Sequence, residues 1–268
     1  MSVSGSYFKN VSIMNKKHFT NIIFILVLLV FSPAVEAQLV NIEKSRKEAR
    51  PGLQGHIDLN LMLTRNTRQI LETTTTAHLQ YNWDRHMVLA LNNLGFMRVE
   101  GSNVINNGFQ HLRYNYMFNE GFTTMELLAQ HQYNAIRLLQ TRILFGGGPR
   151  FRVYENDNTS LFIAPLVMYE YEVYDDEDNT ITSKFKGNLY ASFFLELDER
   201  VNFTHTTYYQ PDFSFFRDFR LSSETGLELL FTGSFSFLVI FHLNYDSDPP
   251  GDIPGLFYTL RNGIKYNF

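Results

Sequence analysis

From residue 52 onward, apolar and polar residues alternate along most of the chain. In HIDLNLML, Ile57, Leu59 and Leu61 fall on one side of an extended chain, and His56 and Asp58 fall on the other. Successive side chains of a β-strand point to opposite faces, so a period of two indicates strands with one apolar and one polar face. The same alternation recurs in ETTTTAHLQYNW, KFKGNLYASFFLEL and SFSFLVIFHLNY. The chain is therefore predicted to be all-β.

The pattern predicts about twelve strands. Tight turns (WDR, NEG, ENDN, DER, TGS) follow strands 2, 4, 6, 8 and 10, and longer loops (GSNVINN, DDEDNTITS, PDFSF, DSDPPGDIPG) follow strands 3, 7, 9 and 11. The connections after strands 1 and 5 are short exceptions. Outer-membrane barrels have short periplasmic turns and longer loops at the other end. We therefore expect a transmembrane, antiparallel, up-and-down β-barrel over residues 52–268. The expected strands are 52–65, 68–83, 86–99, 105–119, 122–137, 139–154, 158–173, 183–197, 200–211, 216–231, 234–246 and 255–268.

The segment before the strands is predicted to direct export. Residues 1–37 have the form of a signal peptide, with Lys16 and Lys17 before the apolar run IIFILVLLVF and with VEA as the cleavage site. This apolar run is much shorter than the ~20 residues that a membrane-spanning helix needs. An upstream mis-start would account for residues 1–13, because Met14 directly precedes the basic pair. Residues 38–51 are interpreted as a periplasmic leader.

The amino-acid composition argues against several classes of binding partner and chemistry. The chain has no cysteine and a net charge of −4, which gives no disulfide framework, no thiolate chemistry and no basic surface for nucleic acid. Aromatic residues make up 15% of the sequence, and several stand beside the tight turns, where a barrel carries its interfacial girdle. Outer-membrane lipids are therefore the expected surroundings of the barrel.

The final residues, RNGIKYNF, carry a pattern shared by the last strands of bacterial outer-membrane barrels. Arg261, Gly263, Tyr266 and Phe268 occupy its polar, glycine, apolar and terminal aromatic positions. The resemblance implies recognition by the barrel-assembly machinery, which would capture the exposed strand edge by β-augmentation. These four residues form the predicted assembly signal.

A stretch of about 40 residues, from Arg113 to Val153, contains four recognisable features. They are an R-Y-x-Y strand, a polar residue at a strand end, an arginine, and a glycine-rich strand that ends in basic residues: Arg113, Tyr114, Tyr116, Asn134, Arg142, Gly146, Gly148 and Arg150. With these features the stretch resembles a family of bacterial outer-membrane proteins that has a domain of unknown function and includes salt-induced members. The resemblance implies a barrel and an envelope location, and it brings no established activity.

Antiparallel pairing of neighbouring strands predicts charge pairs inside the barrel. Arg113 and Arg150 are both expected beside Glu126. Further along, Arg142 is expected opposite Glu170, and Lys184 opposite Glu172. Because the charges are complementary, we expect a cross-linked wall that narrows the lumen.

Sites for catalysis and cofactors are sparse in the sequence. FGGGPRF lacks the lysine and hydroxyl residue of a phosphate-binding loop, and the histidines have no zinc-ligand spacing. FTHTTYY offers His205 and Thr207, but no serine stands two residues after the histidine as a nucleophile for a lipase-type site. We expect no cofactor, no metal and no enzyme activity.

The sequence thus predicts a monomeric protein of the outer membrane of a Gram-negative bacterium. Its expected role is structural or stress-responsive within the envelope, with a largely occluded polar lumen. The alternative is a narrow channel for small polar solutes or ions, and an outer-membrane lipid-modifying enzyme is a third option. Strand number does not decide between the first two, because about twelve strands lie between the 8 that side chains fill and the 16–18 that leave an aqueous channel.

The assembly signal generates a first prediction. Phe268→Asp should leave export intact and prevent assembly, because a charged last residue removes the apolar edge that the machinery captures. The measurement is the amount of folded protein in the outer membrane, beside the amount reaching the periplasm. Lys265→Asp, at a polar position of the same strand, is the control. A normal yield of folded Phe268→Asp contradicts the hypothesis.

Overall fold

The structure, a computed structural model, describes residues 51–65, 69–198, 200–231, 235–249 and 253–266. All of them belong to one unit of the chain, Glu36–Phe268. The predicted signal peptide over 1–37, all of the predicted leader over 38–51 except its last residue, and Phe268 lie outside the described residues.

Twelve β-strands make up most of this unit. The alternation of apolar and polar residues places their ends within a few residues of the observed positions. The strands are β1 Gly52–Arg65, β2 Gln69–Trp83, β3 His86–Val99, β4 Ser102–Phe118, β5 Thr123–Asn134, β6 Leu139–Glu155, β7 Thr159–Tyr174, β8 Ile181–Asp198, β9 Val201–Pro211, β10 Phe219–Leu230, β11 Phe235–Asp246 and β12 Leu256–Tyr266.

The strands form one antiparallel sheet in which each strand pairs with the next along the chain, from β1 to β12. This up-and-down order confirms the predicted all-β barrel of about twelve strands. Two single 3-10 turns, Asn119–Gly121 and Ala135–Arg137, complete the described secondary structure. No helix among the described residues is long and apolar enough to cross a membrane.

The connections differ in length between the two ends of the sheet. The β2–β3 turn has only Asp84 and Arg85 between strands, whereas the β9–β10 loop covers 212–218. One predicted loop is wrong: the β3–β4 connection is a two-residue turn, because Glu100 and Gly101 both adopt positive φ angles of 50° and 88°. Such a turn suits the twist of a hairpin, so the predicted loop residues GSNVINN belong largely to β4. We call the ends the turn end, which holds β2–β3, and the loop end, which holds β9–β10.

Side chains on the two faces of the sheet have opposite surroundings. On β2, His78, Gln80 and Asn82 are buried on the inner face, whereas Leu79 and Tyr81 are exposed on the outer face. The inversion of the usual polar and apolar surroundings is what a wall surrounded by lipid requires. Large exposed apolar side chains occur on the outer face of nearly every strand, for example Leu112, Leu127, Phe145, Val167, Phe185, Leu189 and Tyr258.

The sheet curls so that inner-face side chains of distant strands meet. The hydroxyl of Tyr190 on β8 donates to Glu126 on β5 over 2.8 Å, and the guanidinium of Arg137 lies 4.6 Å from the ring of Phe257 on β12. The described ladders run from β1 to β12, and none among the described residues joins β12 back to β1. β1 is accordingly exposed on both faces along most of its length.

A glycine run lets β5, β6 and β7 approach one another closely. A Cβ atom on Gly148 would lie 2.5 Å from the carbonyl oxygen of Pro165, and one on Gly146 would lie 2.8 Å from that of Val167. Real side chains do not fit at such distances, so only glycine permits this packing. The run therefore serves the wall of the barrel, where the charged residues of β6 and β7 must come together.

The continuous wall of hydrogen-bonded strands gives a second prediction. The protein in mild detergent should migrate differently on a gel before and after boiling, because the folded sheet is more compact than the unfolded chain. The same sample unfolded in urea before loading should migrate like the boiled one. Identical mobility of unboiled and boiled samples, together with solubility without detergent, contradicts the transmembrane barrel.

Candidate functional site

Charged side chains gather inside the barrel toward the loop end. They are held by five strands, β6, β7, β8, β10 and β11, whose alternation directs polar residues inward. Three are carboxylates and three are cations, so the group is neutral as a whole. We call this group the loop-end cluster; its members are Arg142, Glu170, Glu172, Lys186, Arg220 and Asp246.

Arg220 on β10 is the centre of the loop-end cluster. Its Nη1 donates to Glu170 over 3.1 Å and to Glu172 over 2.7 Å, and its Nη2 donates to Glu172 over 2.9 Å. Its Nε donates to Asp246 over 2.7 Å, and Nη2 also reaches the hydroxyl of Tyr174 over 3.1 Å. One guanidinium therefore uses all three of its nitrogens to join β7, β10 and β11.

Two further cations complete the surroundings of the carboxylates. The Nε of Arg142 donates to Glu170 over 2.7 Å and lies 3.4 Å from Glu172. The ammonium of Lys186 lies 2.8 Å from Glu170. Glu170 is completely buried and faces three cations, so its charge is compensated without water.

A second group, toward the turn end, surrounds Glu126. This carboxylate is completely buried, and it lies 3.4 Å from Arg113 and 4.0 Å from Arg150. Tyr190 donates to it, and the guanidinium of Arg150 stacks 3.6 Å from the ring centre of Phe162. We call Arg113, Glu126, Arg150 and Tyr190 the turn-end cluster. It links β4, β5, β6 and β8.

The structure brings together most of the charged residues expected in the lumen. Arg113 and Arg150 lie beside Glu126. Arg142 contacts Glu170 through its side chain, but it lies opposite Glu172 in the register and not opposite Glu170 as expected. The expected register is wrong because the β6–β7 turn comes later in the chain, with Glu155 still paired to Ser160. Lys184 is placed differently from the expectation: it lies opposite Glu170 in the register and not opposite Glu172.

The ammonium of Lys184 contacts Asp218 and lies 4.0 Å from Asp212, both in the β9–β10 loop. The expected pairing with Glu172 is wrong because the β7–β8 loop is shorter than its polar sequence suggests. Tyr174 already pairs with Thr180 by a backbone hydrogen bond of 2.9 Å. This moves every pair of β7 and β8 by two residues.

Asp176 closes the short β7–β8 loop. Its carboxylate accepts hydrogen bonds from the backbone N–H of Thr180 over 2.7 Å and from the hydroxyl of Thr180 over 2.6 Å. These two bonds, the hydroxyl first, lower the pKa of Asp176. An acidic loop segment that the sequence presents as solvated is thus partly a structural turn.

Four cluster residues were missing from the sequence-based expectation: Arg220, Lys186, Asp246 and Tyr190. Lys186 stands two residues after Lys184 on the same strand, so the period of two predicts that both side chains point to the inner face. Arg220 and Tyr190 act on strands that are not their neighbours in the sheet, at β7 and β5 respectively. Pairing of adjacent strands cannot reveal such contacts, because they depend on how the sheet curls.

The described part of the assembly signal lies on β12. Arg261 faces inward, and its Nη2 is 3.0 Å from Nε2 of His242, which in turn lies 3.1 Å from Glu224. Nothing within 4 Å would touch a Cβ atom on Gly263. The side chain of Tyr266 and all of Phe268 lie outside the described residues.

The outer wall holds the one histidine that the sequence related to lipase-type chemistry. Nδ1 and Nε2 of His205 each lie 2.9 Å from a threonine hydroxyl, those of Thr225 and Thr207. Acyl transfer also needs preorganised N–H donors for an oxyanion. Here β9 pairs on both sides, with β8 and β10, and its backbone donors serve the sheet. Among the described residues, no group of three or more histidine, aspartate or glutamate side chains could hold a metal ion.

Three solved structures with a similar fold share very low sequence identity with this chain. The NanC porin has 9% identity and a TM-score of 0.44, with 79% of this chain and 100% of that chain covered. A bacterial polysaccharide outer-membrane secretin has 8% identity and a TM-score of 0.45, covering 81% and 90%. The KdgM porin, solved in complex with disordered oligogalacturonate, has 9% identity and a TM-score of 0.37, covering 75% and 96%.

No curated protein matches the chain. A family model described as "Protein of unknown function, DUF481" matches residues 62–268, which include eleven complete strands and both charge clusters. This match agrees with the resemblance seen in the segment from Arg113 to Val153. The chain belongs to the DUF481 family of proteins of unknown function.

Proposed function

We propose that this protein is a monomeric barrel of the Gram-negative outer membrane, with a structural or stress-responsive role in the envelope and a largely occluded lumen. The observation that carries this proposal is the complete burial of Glu126 and Glu170 inside the barrel, each compensated by cations. An open aqueous pore would leave such carboxylates accessible to water. Their burial supports a lumen filled by side chains over much of the wall.

The packing between the two clusters supports the same conclusion. Apolar inner-face side chains of β5 to β9 form a core between the charged layers. Water has little access to such a layer, and ion pairs beside it are weakly screened. The members of this core are Leu128, Leu144, Ala164, Leu166, Met168, Tyr190 and Tyr208.

The exposed outer face supports a location in lipid, and the predicted assembly signal supports insertion by the barrel-assembly machinery. An outward belt of side chains such as Leu112, Leu127 and Phe145 would contact outer-membrane lipids. No role for a cofactor or for catalysis enters this proposal.

A narrow channel for small polar solutes or ions is the second candidate. It is favoured by one observation: the inner face near β1 is accessible to solvent, with side-chain exposures of 47% for His56 and 61% for Asp58. A path for solutes along β1 would bypass both the loop-end cluster and the turn-end cluster. The conductance of the protein in planar bilayers distinguishes the occluded barrel from the channel.

Glu126→Gln tests the occluded lumen. The native barrel should conduct poorly in planar bilayers, and the variant should conduct severalfold more, because Arg113 and Arg150 would repel each other without the carboxylate between them. Glu155→Gln is the matched control, since Glu155 pairs with Arg152 at an exposed position of the turn end. A large, stable native conductance that Glu126→Gln leaves unchanged would instead favour the channel.

Glu170→Gln tests the contribution of the loop-end cluster to stability. Loss of this buried charge leaves Arg142, Lys186 and Arg220 with too few carboxylates, and the free energy of unfolding should fall by about 3–5 kcal/mol. Glu155→Gln, again the control, should cost about 1 kcal/mol or less. Urea unfolding of refolded protein in detergent measures both. Equal and small losses for the two variants would show that the cluster does not hold the wall together.

A further inference from the structure

A cleft opens at the loop end of the barrel, above the loop-end cluster. Its empty volume is about 640 Å³, including the part open to solvent. Among the described residues, the charged side chains that line it are three arginines and two carboxylates: Arg137, Arg142, Arg220, Glu172 and Asp246. The described part of the lining therefore carries a net charge of one positive unit.

Arg137 carries this surplus charge. Arg142 and Arg220 pair with the carboxylates of the loop-end cluster, but no described residue forms an ion pair with Arg137. Its Nε and Nη2 are buried and have no hydrogen-bond partner. The side chain of Phe257 is the group against which its guanidinium stacks, at 4.6 Å. A half-buried guanidinium with two unused donors has an incomplete environment.

The electrostatic surroundings of Arg137 point to a missing anion. This residue lies in the β5–β6 connection, outside the strands, where its backbone N–H is held by the side chain of Asn134 over 3.2 Å. Burial first, and then repulsion by Arg220 and Arg142, lower the pKa of Arg137 to about 10, and the attraction of Asp246 offsets only part of this effect. It remains a cation at neutral pH, and an anion beside it would compensate both effects.

The rest of the lining indicates which kind of anion fits. Pro249, Ile253, Pro254 and Phe257 form an apolar side of the cleft, which suits a carbon body. Glu172 and Asp246 would repel a second or third negative charge. The flat fork of Nε and Nη2 matches the two oxygens of a carboxylate.

We propose that this cleft binds a small organic monocarboxylate, whose oxygens accept hydrogen bonds from the Arg137 guanidinium while its carbon body packs against Phe257 and the prolines. The guanidinium turns on its flexible side chain to present Nε and Nη2 to the ligand. The site goes beyond the proposed envelope role, and it does not depend on whether the lumen conducts.

The test is a binding titration of full-length refolded protein in detergent, with 4-fluorobenzoate as the probe and its fluorine NMR signal as the readout. The native protein should bind the probe saturably. Arg137→Gln should weaken binding by about tenfold or more, as expected for the loss of charged hydrogen bonds. Arg152→Gln, which removes an exposed arginine at the turn end, should leave binding unchanged. The gel shift on boiling verifies that each variant is folded.

Several outcomes overturn the proposal. They are an absence of saturable binding to the native protein, equal binding by native protein and Arg137→Gln, and equal binding of the neutral 4-fluorobenzyl alcohol. Displacement of the probe by inorganic phosphate at equal concentration would overturn the choice of a monocarboxylate. If Arg137→Gln does not fold, Arg137→Lys is tested in its place, because it keeps the positive charge but lacks the two parallel N–H donors of the guanidinium. Severalfold weaker binding of 4-fluorobenzoate by Arg137→Lys supports the site, and unchanged binding contradicts it.

Discussion

The contact of Arg220 with Glu170 and Glu172 determines how the sheet curls. It joins β10 to β7, two strands separated by β8 and β9, and the same guanidinium also holds Asp246 on β11. Hydrogen bonds between neighbouring strands would allow the sheet many curvatures. A buried guanidinium tolerates only those that keep its carboxylates within reach, because an unpaired charge inside the wall is strongly unfavourable. The curvature of this part of the wall is thus specified by charge, and the glycine run of β6 permits it.

The interior has three layers along the barrel axis. The loop-end cluster and the turn-end cluster are separated by apolar side chains such as Leu144, Leu166 and Met168. Each layer supports the others: the apolar layer excludes water from the charges, and the charges hold the strands at the spacing that the apolar side chains fill. Tyr190 belongs to both, since its ring packs in the apolar layer and its hydroxyl donates to Glu126. A wall built in this way is densely packed from β4 to β10, where side chains and not water fill the interior.

Much of this architecture was predictable from alternation alone. Strand positions, the inward direction of Glu126 and Glu170, and the proximity of Arg113 and Arg150 to Glu126 follow from a period of two and from antiparallel neighbours. The β3–β4 turn and the position of Lys184 were not predictable in the same way, because both depend on backbone geometry of the connections, at Glu100 and at Asp176. The role of Arg220 was not predicted, because its partners Glu170 and Glu172 lie on β7, which is not a neighbour of β10 in the sheet. The local sequence pattern thus predicts the strands and the order in which they pair. The other contacts of the charge clusters depend on the curvature of the sheet and on the geometry of the loops.

The charges of the interior differ in what they contribute. In the loop-end cluster, cations and carboxylates balance, and such a group needs nothing beyond the protein itself. Arg137 stands apart, because it lies on a connection at the mouth of a cleft and has no carboxylate partner among the described residues. Asp246 attracts its charge only from a distance, so two of its guanidinium nitrogens stay without a hydrogen-bond acceptor. The wall therefore combines two uses of arginine: one that fixes the strands from inside, and one that is held ready for an anion arriving from outside.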